Sequence, residues 1–528
     1  MNEAPSKSYD DLPYACYAYA PSHPDRLAVV ARLFGMAPPP LAGARVLELG
    51  CGNGANLIPM AQQAPDATFV GLDLSPRQIA DGRARVAALG LANITLDVAD
   101  IATAGPTLPV FDYIIAHGVY SWVPPAVQDA LLAICAEHLS AQGIAYVSYN
   151  TNPGWRMRGT IRDFMLYHAR QFADPKVQVQ QARAVLDFIA QGAINEDSPY
   201  ARQLKADVEE LRAQPDAYLY HEFLEEVNLP VYFHEFVAHA GRHGLQYLGE
   251  SEFTAMLPQN FAAPVQETLR RIAPDLVRAE QFMDFLRNRP FRQTLLVHRD
   301  LALKRAVDWK PLQDMEIGSP ARPATFPVDE RSPAKVQFTT PRGVTVQLGS
   351  PITKAAFSLL ALRWPQTIPF GELCTAARAR LGVAPTAAPD PAQAAQDAQT
   401  LGAELLQVAG AGMVELRMRR ARFTLQVREQ PAVWEIARGD AKEGSAVRNL
   451  RHETVMLDEF NRHLVMLADG TRDRAAIVAA LADLVASGAL AINQEGKAIT
   501  DPAAVRSVMA KAVDEGLAQV ARAALFPE

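Results

Sequence analysis

The chain of 528 residues reads as an α/β protein: a doubly wound, seven-stranded sheet with a helical insertion, followed by small α+β modules. Three features carry that reading. Apolar strand-like runs alternate with helix-like segments over residues 44–150. A glycine-rich turn closes the first of those runs. Two more strand-like runs return between residues 245 and 298, after a long helical stretch.

The first strand is Ala44–Glu48 (ARVLE), short, apolar and ending in an acid. Thr68–Asp73 (TFVGLD) and Asn93–Asp97 (NITLD) have the same form, and Phe111–Ala116 (FDYIIA) and Ile144–Tyr149 (IAYVSY) complete five. Segments rich in Ala, Leu and Arg separate them, including Pro76–Leu89 and Pro125–Leu139. Nearly continuous apolar strands alternating with helices mark a parallel sheet covered on both faces. From Trp155 to about His243 the pattern is helical; Leu245–Leu248 (LQYL) and Gln293–His298 (QTLLVH) then look like strands. We read both as closing the same sheet; a separate helical domain carrying two short strands is the other arrangement the pattern permits.

Residues 312–334 are rich in Pro and charge and poor in large apolar side chains, the composition of a linker. Beyond it, Val336–Leu348 carries a strand–turn–strand signal around Pro341, Arg342 and Gly343. Met413–Leu416 and Phe423–Val427 are strand-like, and the block from about Val447 is helical. Short helices with a hairpin suggest winged-helix-like modules. The expected division is 1–155, 156–300, a linker at 301–334, then 335–440 and 441–528.

The net charge of −7 excludes a uniformly basic nucleic-acid coat. Cys16, Cys51, Cys135 and Cys374 are far apart and form no CxxC pair, which fits a reducing compartment. Met1–Asp10 is polar, and no uncharged apolar run approaches membrane-spanning length. A cytoplasmic protein without membrane insertion is expected.

The strongest chemical signal is Val46-Leu47-Glu48-Leu49-Gly50-Cys51-Gly52-Asn53-Gly54. Glycine permits positive φ and close approach of the backbone to a ligand. The spacing is GxGxG after an acid, not the GxGxxG of a dinucleotide site. It suits a ligand with no phosphate but with an amino acid and a positive charge, which Glu48 can face. Asp73, with Leu74 beside it, ends the second strand about 20 residues on, where an acid bonds ribose hydroxyls. Asp100 and Ile101 follow the third strand and can hold an adenine amino group and one ring face. In this order the features point to S-adenosylmethionine (SAM), held by Glu48, Gly50, Cys51, Gly52, Asn53, Gly54, Asp73, Leu74, Asp100, Ile101 and His117.

Residues just past the carboxyl ends of parallel strands line the ligand crevice. The fourth strand leads into Ala116-His117-Gly118-Val119-Tyr120-Ser121-Trp122-Val123-Pro124-Pro125. Tyr120 and Trp122 can form an aromatic wall for an amine, since ring faces attract cations; they can equally cover the sheet edge. His117 can orient a group or act as a base. The fifth strand ends in Ser148-Tyr149-Asn150-Thr151-Asn152-Pro153-Gly154-Trp155, where Asn150 is a candidate acceptor for the nucleophile's N–H or a turn former. Tyr149 and Trp155 reach the same crevice. Near the N-terminus, Tyr9 and Tyr14 belong to a segment that serves either as a lid or as a helix capping the sheet. His221, Glu222, His234, Glu235, His239 and His243 contain no HExxH, so they read as a solvated helix face and no metal is expected.

The glycine turn, Asp73, AHGVYSWVPP, SYNTNPGW and YLYHEFLEEVNLPVYFHEF together resemble the class I SAM-dependent methyltransferases that carry a methyltransferase regulatory domain, some of them bacterial protein lysine methyltransferases. The resemblance covers about residues 8–300 and continues more loosely beyond. It implies a Rossmann-like catalytic domain, a regulatory segment at about 217–300, winged-helix-like C-terminal domains, and cofactor contacts at Glu48, Gly50, Gly52, Asp73 and Asp100. AHGVYSWVPP stands where several amino-methylating enzymes carry Asn-Pro-Pro-Tyr. Methyl transfer to a protein amine is expected, with no nucleic-acid partner and with a homodimer admitted. The alternatives are a methyltransferase for a small metabolite or RNA, or a non-catalytic SAM-binding protein. For RNA, Arg417–Phe423 (RMRRARF) is the only concentrated basic run.

Overall fold

The computed structural model describes residues 17–193, 197–382, 391–491, 493–494, 497–498 and 501–528. Tyr9 and Tyr14 lie outside them. Among the described residues the chain forms two compact units, one of residues 30–305 and one of residues 17–29 with 306–528.

In the first unit, seven strands form one sheet: β1 (Arg45–Leu49), β2 (Thr68–Asp73), β3 (Ile94–Val98), β4 (Phe111–Ala116), β5 (Leu139–Asn150), β6 (Leu245–Glu250) and β7 (Phe291–His298). Their order is β3-β2-β1-β4-β5-β7-β6. The first five are parallel; β7 enters antiparallel between β5 and β6, with Asn150 opposite Phe291. The two late strands therefore close the sheet, as expected. Val46, Leu47, Ile114, Ile115, Val147 and Leu296 are fully buried, so the central strands need apolar side chains on both faces. Strand order reverses at β1, between β2 and β4, and this switch point opens a crevice at the carboxyl ends of β1 and β4.

Between β5 and β6 the helices Trp155–Ala169, Pro175–Ala193 and Pro199–Arg212 gather around their own core of Ile161, Met165, Leu186, Val208, Leu219 and Phe223. A π-helical turn, Tyr220–Leu224, aims Phe223 into it. On β7 the fully buried Arg292 meets three carboxylates: Glu250 at 2.7 Å, Asp284 at 2.8 Å and Glu280 at 2.9 Å. Its guanidinium also lies 3.8 Å from the centre of the Phe233 ring. No helix among the described residues is long and apolar enough to cross a membrane.

In the second unit, the segment expected as a linker is ordered. Glu316–Gly318 pairs with both Ile368–Pro369 and Glu415–Arg417, and Arg322–Pro323 pairs with Val336–Thr339. Strands of two or three residues tolerate proline at their edges and are too short to show a period. For the same reason the hairpin of Ala446–Arg448 and Thr454–Met456 opens a block expected as helical. Phe423–Val427 is not a strand; Phe423 makes a single bridge to Pro527. The basic run is engaged in ion pairs, Arg417 with Glu415 and Arg420 with Glu528.

Candidate active site

The glycine turn is built as its spacing requires. Gly50, Gly52 and Gly54 have φ of +73°, +55° and +72°, in the left-handed region. A Cβ on Gly50 would stand 2.5 Å from Val119 Cγ2, so a side chain there is excluded by space as well as by φ. Gly50 and Cys51 donate their N–H groups to the Leu72 carbonyl, and Asp73 Oδ2 accepts from Gly52 N at 2.8 Å. The turn is thus pinned to the end of β2. Cys51 is buried and shapes the turn through its backbone, while Asn53 Oδ1 accepts from Ala55 N.

Glu48 is buried behind the turn. Its Oε1 accepts from Asn56 Nδ2 at 2.8 Å, and its Oε2 is buried without a hydrogen-bond partner among the described residues. Burial pushes its carboxyl up to about 8, with Asp73 adding to the rise and Asn56 opposing it. An orphaned buried carboxylate oxygen beside a glycine cradle fits an ammonium group. Asp73 is half-buried and Leu74 exposed, an acid and an apolar face at one strand end. Asp100 is exposed; its Oδ1 caps the helix Ile101–Ala104 by accepting from Ala102 N at 2.9 Å, and Ile101 is half-buried.

The loop after β4 is fastened to the end of β5. Gly118 N donates to Ser148 Oγ at 2.7 Å, and Asn150 N donates to Ser121 Oγ at 2.9 Å. His117 Nδ1 lies 2.8 Å from the Tyr146 hydroxyl. Burial depresses its imidazole to about 3. His117 is therefore neutral near neutral pH and only weakly basic.

The aromatic residues divide into two groups. Tyr120 is buried among Phe236 and Tyr149, with ring centroids 5.0 and 5.8 Å away, and its hydroxyl lies 2.8 Å from His239 Nδ1. Tyr149 is buried too, stacked on Phe236 at 4.1 Å with its hydroxyl 3.0 Å from Thr294 Oγ1. Both were expected to face the substrate; both instead pack into the core, because the regulatory helix Phe233–Arg242 lays Phe236 over them. Trp122 is half-buried and meets Trp155 edge to face at 6.3 Å, and Trp155 stacks in turn on Phe223. Trp155 is buried as well, so of these four aromatic residues only Trp122 keeps partly exposed surface. At the end of β5, Asn150 has a buried Nδ2 with no partner among the described residues.

The histidines at 221–243 are not one solvated face. His221 is buried, with Nδ1 3.1 Å from Glu225 Oε1, and His234 Nδ1 lies 2.9 Å from Gln281 Oε1. His239 and His243 both turn toward Asp129. Sequence reasoning missed Asp129, which lies on a distant helix, and the partnership of Phe223 with Trp155, which no local period signals.

A seven-stranded sheet of this order, with a glycine cradle, a buried acid behind it and an acid ending β2, defines a class I SAM-dependent methyltransferase. Family models match at residues 47–145 (methyltransferase domain), 215–298 (predicted methyltransferase regulatory domain) and 429–525 (PKMT, C-terminal winged helix domain). Protein RP789 of Rickettsia prowazekii is 34% identical over 515 residues, 94% of this chain and 90% of that protein. RP028 of the same organism is 37% identical over 241 residues, 46% of this chain and 96% of that one. The structure of PKMT2 from Rickettsia typhi in complex with AdoHcy matches with a TM-score of 0.85 at 29% identity, covering 97% of this chain and 100% of that chain. The chain belongs to the SAM-dependent methyltransferases that join this core to a regulatory domain and a PKMT-type winged helix domain.

Proposed function

We propose that this enzyme methylates lysine side chains of a protein substrate. The observation that carries this reading is the half-buried Trp122, packed edge to face on Trp155 in the loops that follow β4 and β5, together with Asn150 at the end of β5, whose Nδ2 is buried with no partner among the described residues. An alkylammonium group is attracted to indole faces, and an apolar wall favours its neutral, nucleophilic form by desolvation. The likeness to PKMT2 over nearly the whole chain supports the same acceptor class. So does the helical insertion, which exposes Phe164, Tyr167 and Phe188, a surface suited to a macromolecule.

SAM supplies a methyl group activated by a sulfonium. In this proposal Glu48 faces the amino group of its methionine part, Gly50–Gly54 line the turn around it, Asp73 takes the ribose, and Leu74, Asp100 and Ile101 flank the adenine. The acceptor lysine loses its proton to solvent, and its nitrogen bonds the methyl carbon as the carbon–sulfur bond breaks toward sulfur. Asn150, whose amide can present either its oxygen or its nitrogen, orients the amine; His117 holds the loop through Tyr146. No dedicated base is needed, because alignment in a desolvated pocket supplies the main effect.

The test is transfer of isotopically labelled methyl from SAM into a bacterial lysate, with mass spectrometry of the labelled fraction. Methyl-lysine in protein bands is expected. Label confined to nucleic acid or small molecules, with none in protein, overturns the proposal.

A further inference from the structure

We infer that Asp129, His239 and His243 form a binding site for a divalent transition-metal ion of the zinc, cobalt and nickel class. His239 and His243 sit one turn apart on the regulatory helix Phe233–Arg242 and at its C-cap. Asp129 lies on the core helix Pro125–Glu137. Both histidines present the same nitrogen, Nε2, to the same oxygen, Asp129 Oδ1, at 3.1 and 2.9 Å. The three donor atoms all lie within 4.8 Å of one another. In a tetrahedral site with bonds of about 2.0–2.1 Å, neighbouring donors lie about 3.3–3.4 Å apart, so the two carboxylate–imidazole separations need only a few tenths of an ångström of adjustment, and the two imidazoles, within 4.8 Å of each other, close by at most about 1.4 Å.

Two further observations favour an ion over a plain pair of hydrogen bonds. First, no Lys or Arg pairs with Asp129 among the described residues; its partners are two imidazoles, each only 12–17% exposed, while Asp129 itself is 59% exposed and open to entry from solvent. Second, the distal nitrogen of His239 is held by the Tyr120 hydroxyl at 2.8 Å. A ligating histidine characteristically has its other ring nitrogen fixed by such a group, which sets the tautomer. Two imidazoles and one carboxylate suit a borderline transition ion; Mg²⁺ and Ca²⁺ prefer all-oxygen sites. A solvent molecule would complete the coordination.

The ion would clamp the regulatory helix to the methyltransferase core. Through His239 it would also fix Tyr120, which belongs to the loop carrying His117 and Trp122 at the active site. Tyr120 is thus a positioning residue, and the histidine pair that looks like a surface feature in sequence becomes a brace for the acceptor-side loop.

The test is titration of the full-length, tag-free protein with Co²⁺, read by its visible absorption, and with Zn²⁺ by calorimetry, in the presence of excess Mg²⁺. One ion per chain is expected. His243→Gln and Asp129→Asn, each checked for folding by circular dichroism and S-adenosylhomocysteine binding, should each lose at least about 100-fold in affinity, because each removes one of three ligands. Zn²⁺ should raise the melting temperature of the unaltered chain and not of the variants. Absence of saturable Co²⁺ binding, or its retention in either variant, overturns the inference.

Discussion

Asp73, at the end of β2, accepts the backbone N–H of Gly52 at 2.8 Å, so the carboxylate proposed to take the ribose also shapes the glycine turn. Replacing it with alanine removes a charge-assisted bond, worth about 1.5–3 kcal/mol. Binding of S-adenosylhomocysteine should weaken by about 10- to 100-fold in calorimetry. Unchanged affinity would remove Asp73 from the site.

On the proposed placement of Glu48 beside the ammonium group, cofactor binding should depend on pH. Its carboxyl titrates near 8 in the folded protein because it is buried. A group raised in this way stabilises the cofactor-free fold fully below its unfolded value of about 4.5 and loses that effect as pH rises through about 8. A cationic ligand favours the carboxylate. Binding should therefore release a proton, and affinity should rise between about pH 6 and 7.5. Calorimetry in two buffers of different ionisation enthalpy measures this directly. Glu48→Gln should abolish the proton release, weaken SAM and leave the cofactor-free protein more stable near neutral pH.

At Gly50 two penalties coincide. Gly50→Ala places a Cβ 2.5 Å from Val119 Cγ2 at a φ of +73°. Thermal melting and SAM binding should both fall. Adding Val119→Ala should relieve the clash yet leave the left-handed penalty of about 1–2 kcal/mol, so rescue should be partial. Full rescue would mean that φ costs nothing there.

The buried Arg292 lies within 2.9 Å of three carboxylates, of which Glu250 also pairs with Arg289 at 2.9 Å. Even beside it, burial keeps Glu280 near 7. Arg292→Met leaves Glu280 and Asp284 without a cation within hydrogen-bond distance among the described residues and should cost about 3–5 kcal/mol, read as a large fall in the urea midpoint. A midpoint within error of the unaltered protein would show that the acids neutralise themselves by taking up protons.

Trp122→Ala should separate acceptor binding from cofactor binding. A cation–π contact is worth about 0.5–2 kcal/mol, so kcat/KM for the protein substrate should drop by roughly 3- to 30-fold. Affinity for S-adenosylhomocysteine should stay unchanged. Loss of both would place Trp122 in the cofactor pocket.

The sheet and its cradle were legible in the sequence because their causes are local. Buried parallel strands must be apolar throughout, and a left-handed turn must be glycine, so Val46–Gly54 states its own geometry. Strands of two or three residues in the second unit carry no period and were hidden inside a proline-rich stretch. The site's partners were hidden for another reason. Tyr120 was expected at the crevice, and only the return of Phe236 and His239, more than a hundred positions later, turns it inward. Asp129 gave no signal at all, since its two imidazoles come from a distant helix.

The pairing of Asn150 with Phe291 has a consequence for how this architecture diversifies. The chain leaves the sheet at Asn150, returns as β6, leaves again at Glu250 and re-enters beside Asn150 at Phe291, so both helical excursions set out from a single doorway at one end of the sheet. Helices there can lengthen, shrink or be exchanged for others without stretching the scaffold that grips the methyl donor. New acceptors can then be recruited by grafting at that doorway while the donor chemistry is left untouched.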